Sequence, residues 1–207
     1  MKPLLLYQQT DFCRFAKDRI VRKHGDRLQV EGIRTLAEAR SMAGADSERP
    51  ALLIWGNGRF HHFSNALNIA GSFKLVFDDH RDNVDSAGGI DYGNHNDASQ
   101  KEGVVVQVCY AIVNGRPYFS VFSDGKANGI LHVSTDLDFV EGFPALPHMS
   151  VGTTNFYRYM DYLRETISGD RKLRRFDMGG YSEMGRGSET VYEFYYERPL
   201  EMALAAM

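Results

Sequence analysis

The chain has 207 residues, 43% hydrophobic and 25% charged, with a formal net charge of -3. These are ordinary globular values for one domain over residues 1–207, and the near-neutral balance gives no reason to expect nucleic acid as a partner. Two distant cysteines, Cys13 and Cys109, exclude a disulfide framework and a thiolate zinc site, and no apolar run approaches transmembrane length; a cytoplasmic protein with no membrane partner is expected.

Short apolar, β-branched runs alternate with helix-like segments, the pattern of an α/β domain with flanking helices around a mainly parallel sheet. In chain order the strands are expected at PLLLY (3–7), ALLIWG (51–56), KLVFDD (74–79), VVVQVCYAIV (104–113), PYFSVFS (117–123), GILHVSTDLD (129–138) and RRFDMGGY (174–181). Helices are expected at TLAEARSMAG (35–44), FSNALNIAG (63–71), TNFYRYMDYLRETISG (154–169) and TVYEFYYERPLEMALAA (190–206). The third has the clearest pattern: Phe156, Met160, Leu163 and Ile167 recur at three- and four-residue steps, and Gly169 stands where the helix should end. Asn114-Gly115 between two apolar runs predicts a hairpin, so part of the sheet is expected to be antiparallel. Residues 44–50 and 85–103 read as loops, and the second exceeds the length of a simple connector.

Four aspartates and a histidine crowd residues 78–85, directly after an apolar strand. Like charges at such range repel unless something positive lies among them. Asp78, His80 and Asp82 alternate, so on an extended chain they can point to one side. Asp136 and Asp138 repeat the pattern after another strand, and His61 and His62 follow a glycine-rich turn after a third. Ligand sites in open α/β sheets gather at the carboxyl ends of strands, and a donor set of carboxylates with a minority of imidazoles suits manganese or a similar divalent ion.

These motifs resemble the arginase and agmatinase group, the ureohydrolases with a two-manganese centre. The resemblance lies in the turn from Gly56 to His62, in the D-x-H-x-D of Asp78, His80 and Asp82, and in the S-x-D-x-D of Ser134, Asp136 and Asp138, in that order and strand context. It implies a single-domain arginase-like three-layer sandwich holding two Mn2+ through His61 or His62, Asp78, His80, Asp82, Asp136 and Asp138. It further implies hydrolysis of a guanidino group to urea and an amine. Asp138 would relay a proton, and His95, thirteen residues beyond Asp82 in YGNHND, would protonate the departing amine.

The acid that holds the guanidinium is expected after the strand RRFDMGGY. Asp177 and Glu183 are available there, Gly180 occupies the position a strict alignment gives to that acid, and Glu183 is the preferred assignment. Val84, Asp91 and Gly93 stand where arginases carry groups that grip the free amino acid. Compact peptide arginases, which convert arginine to ornithine inside ribosomally made peptides, are similar in this respect, so an arginine-containing peptide is the expected substrate.

An agmatinase-like reaction on a small guanidino compound is the alternative on the same chemistry. Zinc-dependent amine deacylation, for which His61 and His62 would serve as acid and base, is another. A non-enzymatic reading makes the metal structural and uses the aromatic tail YEFYYERP to pack on a partner or on a second copy in a homo-oligomer, although aromatic residues at helical spacing more often face a core.

Overall fold

A computed structural model describes residues 1–43, 48–56, 66–67, 69, 73–77, 105–113, 116–121, 129–144, 155–181 and 183–207. Leucine-rich β1 (Leu4–Gln8) enters the sheet first and leads into α1 (Asp11–His24). Thr10 caps α1: its Oγ1 accepts the Cys13 N–H at 3.4 Å, giving an orphan amide of the first turn a partner. Then follow β2 (Gln29–Ile33), α2 (Leu36–Ala43), β3 (Ala51–Ile54), β4 (Phe73–Phe77), β5 (Val105–Val113), β6 (Arg116–Val121), β7 (Ile130–Asp136), α3 (Phe156–Ile167) and β8 (Lys172–Gly179). The chain closes with α4 (Ser188–Val191), a π-helical turn over Tyr192–Tyr196 and α5 (Glu197–Ala206).

The strands form one sheet in the order β2-β1-β3-β8-β7-β4-β5-β6. Every neighbouring pair is parallel except β5 with β6. Val113 stands opposite Arg116, which leaves two residues for the hairpin turn; these, Asn114 and Gly115, lie outside the described residues. The mainly parallel sheet with one antiparallel edge is the architecture that the sequence pattern predicts.

Because successive side chains of a strand alternate sides, the two faces carry different cores. Leu5 of β1, Leu52 and Ile54 of β3, Leu131 and Val133 of β7, and Phe176 and Met178 of β8 pack against α1, α3 and α5 through Phe12, Tyr159, Leu163 and Leu200. On the opposite face Leu4, Leu6, Ala51, Leu53 and Trp55 meet Ala39 and Ala43 of α2. That second face turns polar toward the middle of the sheet, where β7 presents His132, Ser134 and Asp136 and β8 presents Arg175 and Asp177, all buried.

Three local features depart from the expected elements. The first is α1 with β2, to which the sequence pattern assigns nothing. Phe12, Cys13, Ala16 and Ile20 make only a narrow buried stripe among charged residues, and QVEGI offers only Val30 and Ile33, so partners supply what periodicity does not. Secondly, β7 stops at Asp136 and the chain tightens into a 3-10 turn over Leu137–Phe139.

The third is the π turn, which interrupts the last helix just ahead of Pro199. Proline has no N–H for the Tyr195 carbonyl and its ring presses on that group, so a wider turn relieves the conflict. The C-terminal helices dock on α1 through burial of Tyr192, Tyr196, Leu200 and Ala203, aided by a charged seam. In the seam Arg19 meets Glu189 at 2.9 Å and Glu193 at 3.0 Å, Lys23 meets Glu197, and His24 meets Glu201 at 2.8 Å. Such exposed pairs contribute at most about 1 kcal/mol each, so the buried aromatics dominate. Among the described residues no helix is long and apolar enough to cross a membrane.

Candidate metal centre

A strand buried on both faces is expected to be apolar throughout, yet β7 reads His132, Ser134, Asp136 along one side. The partners for these groups come from β8 and β3. In the parallel register Ser134 lies opposite Asp177 and Asp136 opposite Gly179. The Asp177 carboxylate accepts from Ser134 Oγ at 2.7 Å and Trp55 Nε1 at 3.2 Å on Oδ1, and from His132 Nε2 at 2.8 Å on Oδ2. A carboxylate accepts only, so His132 carries a proton on Nε2. All four side chains are buried, and the charge of Asp177 is compensated by three donors instead of by water.

One step further along the same face lies Asp136, 3% exposed, and the 3-10 turn then places Asp138, 1% exposed. Together with Asp177 these are the only buried carboxylates among the described residues. The approach to Asp136 is shaped by glycine. Gly180 has φ +115°, a conformation that side chains rarely adopt, and a Cβ there would stand 3.0 Å from Asp136 Oδ1 and 3.2 Å from the Phe143 ring. Gly179 lies so close under the Trp55 indole that a Cβ would come within 2.1 Å of it.

Tyr196, fully buried in the π turn, has its hydroxyl held well above the ordinary tyrosine range, first by burial and further by the nearby Asp136 and Asp138 carboxylates, against a smaller lowering by a backbone hydrogen bond with Tyr181. It therefore stays a neutral hydroxyl within electrostatic reach of the acid pair.

Of the side chains proposed from sequence, Asp136 and Asp138 are both buried at the carboxyl end of β7. Glu183 is exposed, on the loop after β8. His61, His62, Asp78, His80, Asp82 and His95 lie outside the described residues, although β4 ends at Phe77, one residue before the D-x-H-x-D begins. Among the described residues no three acids, histidines or cysteines make a metal-binding group. The donor chemistry present there, two buried carboxylates at a strand end, is of the kind that fits a hard or borderline divalent cation and by itself could furnish only part of a shell.

Sequence reasoning missed His132, Trp55 and Tyr196 and gave Asp177 no structural role. The signal for the first was available: a histidine and a serine at alternate positions of an otherwise apolar strand need buried partners.

No protein-family model and no curated protein matches the sequence. Solved structures do. Agmatine ureohydrolase of Thermoplasma volcanium superposes with a TM-score of 0.61 at 11% identity, covering 99% of this chain and 89% of that one. Arginase from Bacillus subtilis gives 0.61 at 10% identity, covering 100% of this chain and 99% of the other. The chain has the arginase–agmatinase fold. In this arginase-like fold the described acids sit at the carboxyl edge of the central strands, where the sequence motifs anticipate a ligand site.

Proposed function

We propose that this chain is a metal-dependent guanidino hydrolase, a single domain over residues 1–207, that converts arginine within a peptide to ornithine with release of urea. One observation carries the reading. β3, β8, β7 and β4 are consecutive parallel neighbours, so their carboxyl ends lie on one edge of the sheet, and these are the strands that the histidine turn, the Glu183 loop, the Asp136–Asp138 pair and the D-x-H-x-D motif come after in sequence. Four strands distant in sequence end side by side.

His61 or His62 with Asp78, His80, Asp82, Asp136 and Asp138 would hold two Mn2+, which when bound supply Lewis acidity and a water acidified toward neutrality. Asp138, buried beside Asp136, is suited to take a proton from the attacking water. Glu183 orients the cationic guanidinium, a bidentate partner for a carboxylate. His95 delivers a proton to the departing nitrogen, so the C–N bond breaks to give urea and a primary amine. Val84, Asp91 and Gly93 in place of groups that grip a free amino acid favour a peptide over free arginine, and Gly180 leaves backbone alone where the family has an acid.

Manganese-loaded protein is assayed for urea release from free arginine, agmatine, 4-guanidinobutyrate and an arginine-containing peptide. The peptide should react fastest, and Asp138→Asn and His80→Ala should abolish release while leaving the circular dichroism spectrum unchanged. Absence of urea from all four compounds, or deacylation of an acylated amine by a protein holding one zinc, refutes the assignment.

A further inference from the structure

We propose that Asp177 is a positioning residue that fixes the metal-binding end of β7 by tying three strands together beneath it. The inference rests on the guanidino-hydrolase reading and goes beyond it, because it gives a task to four side chains that hold no metal in that reading.

The tie is a single carboxylate with three donors. Asp177 belongs to β8, Ser134 and His132 belong to β7, and Trp55 follows directly on β3, so the 2.7, 2.8 and 3.2 Å bonds span three adjacent strands. Each is charge-assisted and shielded from water, which makes the set stronger and less yielding than the same bonds at a surface. It lies one same-face step below the acid: Ser134 pairs with Asp177, and Asp136 pairs with Gly179.

Trp55 carries the constraint upward. Its indole is oriented by Asp177, its backbone N–H donates to the Met178 carbonyl at 3.0 Å, and its ring lies on Gly179, the residue opposite Asp136. A β-carbon at 179 would overlap the ring, so glycine is what lets the indole press on the backbone beside the acid. Trp55 is also followed by Gly56, whose N–H donates to Gln8 Oε1 at 2.8 Å at the start of the turn that leads to His61 and His62. One carboxylate thus sets the exit of β7 toward Asp136 and Asp138 and the exit of β3 toward the histidines. Packing alone does not require this, since the opposite face of the same strands is filled with Leu, Val, Phe and Met. Burying a carboxylate with its donors carries a desolvation cost that apolar side chains at these positions would avoid, so the network is weak as a stabilising device and stands out as a means of fixing geometry.

The test uses the full chain. Asp177→Ala, Asp177→Asn, Ser134→Ala and Trp55→Phe are compared with the unsubstituted protein by Mn2+ titration, Mn2+ electron paramagnetic resonance, thermal melting and urea-release kinetics. Asp177→Ala should weaken Mn2+ binding by roughly 10- to 100-fold and lower kcat with KM little changed, because groups that orient ligands typically act on that scale. Asp177→Asn should restore much of the affinity. Its carbonyl can accept from Ser134 and Trp55, and its amide can face His132 in the other tautomer.

Ser134→Ala and Trp55→Phe each remove one donor, should weaken binding by a smaller factor, and carry the test if Asp177→Ala does not fold. Variants that melt earlier yet bind Mn2+ with unchanged affinity and spectrum would overturn the positioning role while leaving the hydrolase reading intact. Failure of the unsubstituted protein to bind Mn2+ would overturn both.

Discussion

Replacing Gly179 by alanine is a stringent test of the packing around the acid pair. The new Cβ would meet Trp55 Cδ2 at 2.1 Å, Cε3 at 2.3 Å and Cε2 at 2.4 Å, whereas carbon atoms pack at about 3.5 to 4.0 Å. The indole must therefore retreat by roughly 1.5 Å in a site where it is 2% exposed. Overpacking of this kind costs about 1 to 3 kcal/mol. The retreat also stretches the 3.2 Å bond from Nε1 to Asp177 past hydrogen-bonding range, which removes about 1.5 to 3 kcal/mol for a charged acceptor.

A loss of about 2.5 to 6 kcal/mol follows, equivalent to roughly 5 to 24 °C in Tm for a protein of this length. Urea unfolding and thermal melts of the metal-free protein read it directly. Gly185→Ala is the control, since no heavy atom lies within 4 Å of its Cβ position, and it should change stability by less than about 0.5 kcal/mol. Trp55→Ala removes the obstacle, so adding Gly179→Ala to it should cost under about 1 kcal/mol. A Gly179→Ala protein within about 1 kcal/mol of the unsubstituted one would refute the close approach of indole and backbone.

Two further outcomes concern buried groups away from the metal centre. Burial pushes the Cys13 thiol up to about 12 despite its hydrogen bond with Thr10, while the unfolded thiol titrates near 9.0, so above pH 9 the unfolded chain loses its proton first. Stability should therefore be level below pH 9 on this account and fall by about 1.4 kcal/mol per pH unit toward 12. Cys13→Ala should flatten the slope in urea melts between pH 8 and 10.5, and equal slopes would contradict the assignment. Arg175 is fully buried and donates to the backbone carbonyls of Leu67, Arg49, Arg174 and Ala43. Arg175→Met should destabilise by about 3 kcal/mol or more in the same melts, because several carbonyls lose a charged donor at once; a change below about 1 kcal/mol would show that water replaces it.

Much of the architecture was legible in local pattern. The apolar runs of β1, β3, β4, β7 and β8, the amphipathic stripe Phe156, Met160, Leu163 of α3, and the antiparallel pairing of β5 with β6 are each signalled within a short stretch of sequence. The acid pair was legible too, as two aspartates at the end of an apolar strand. Less legible was α1, whose buried face is too narrow to stand out among charges, and the π turn, which follows from Pro199 meeting a helix that must still bury Tyr192 and Tyr196.

The sequence by itself determined where most of the strands and the helices α2 and α3 lie and which residue types gather at the strand ends, because alternation and helical spacing are properties of short windows. Only the tertiary structure decided that β3, β8, β7 and β4 are neighbours, that Glu183 faces solvent while Asp177 faces inward, and that Asp177 takes a donor from Trp55, 122 residues away. The physical reason is the same in each case. Parallel strands and buried charges are satisfied by partners remote along the chain, and a one-dimensional pattern records the need for a partner without naming it.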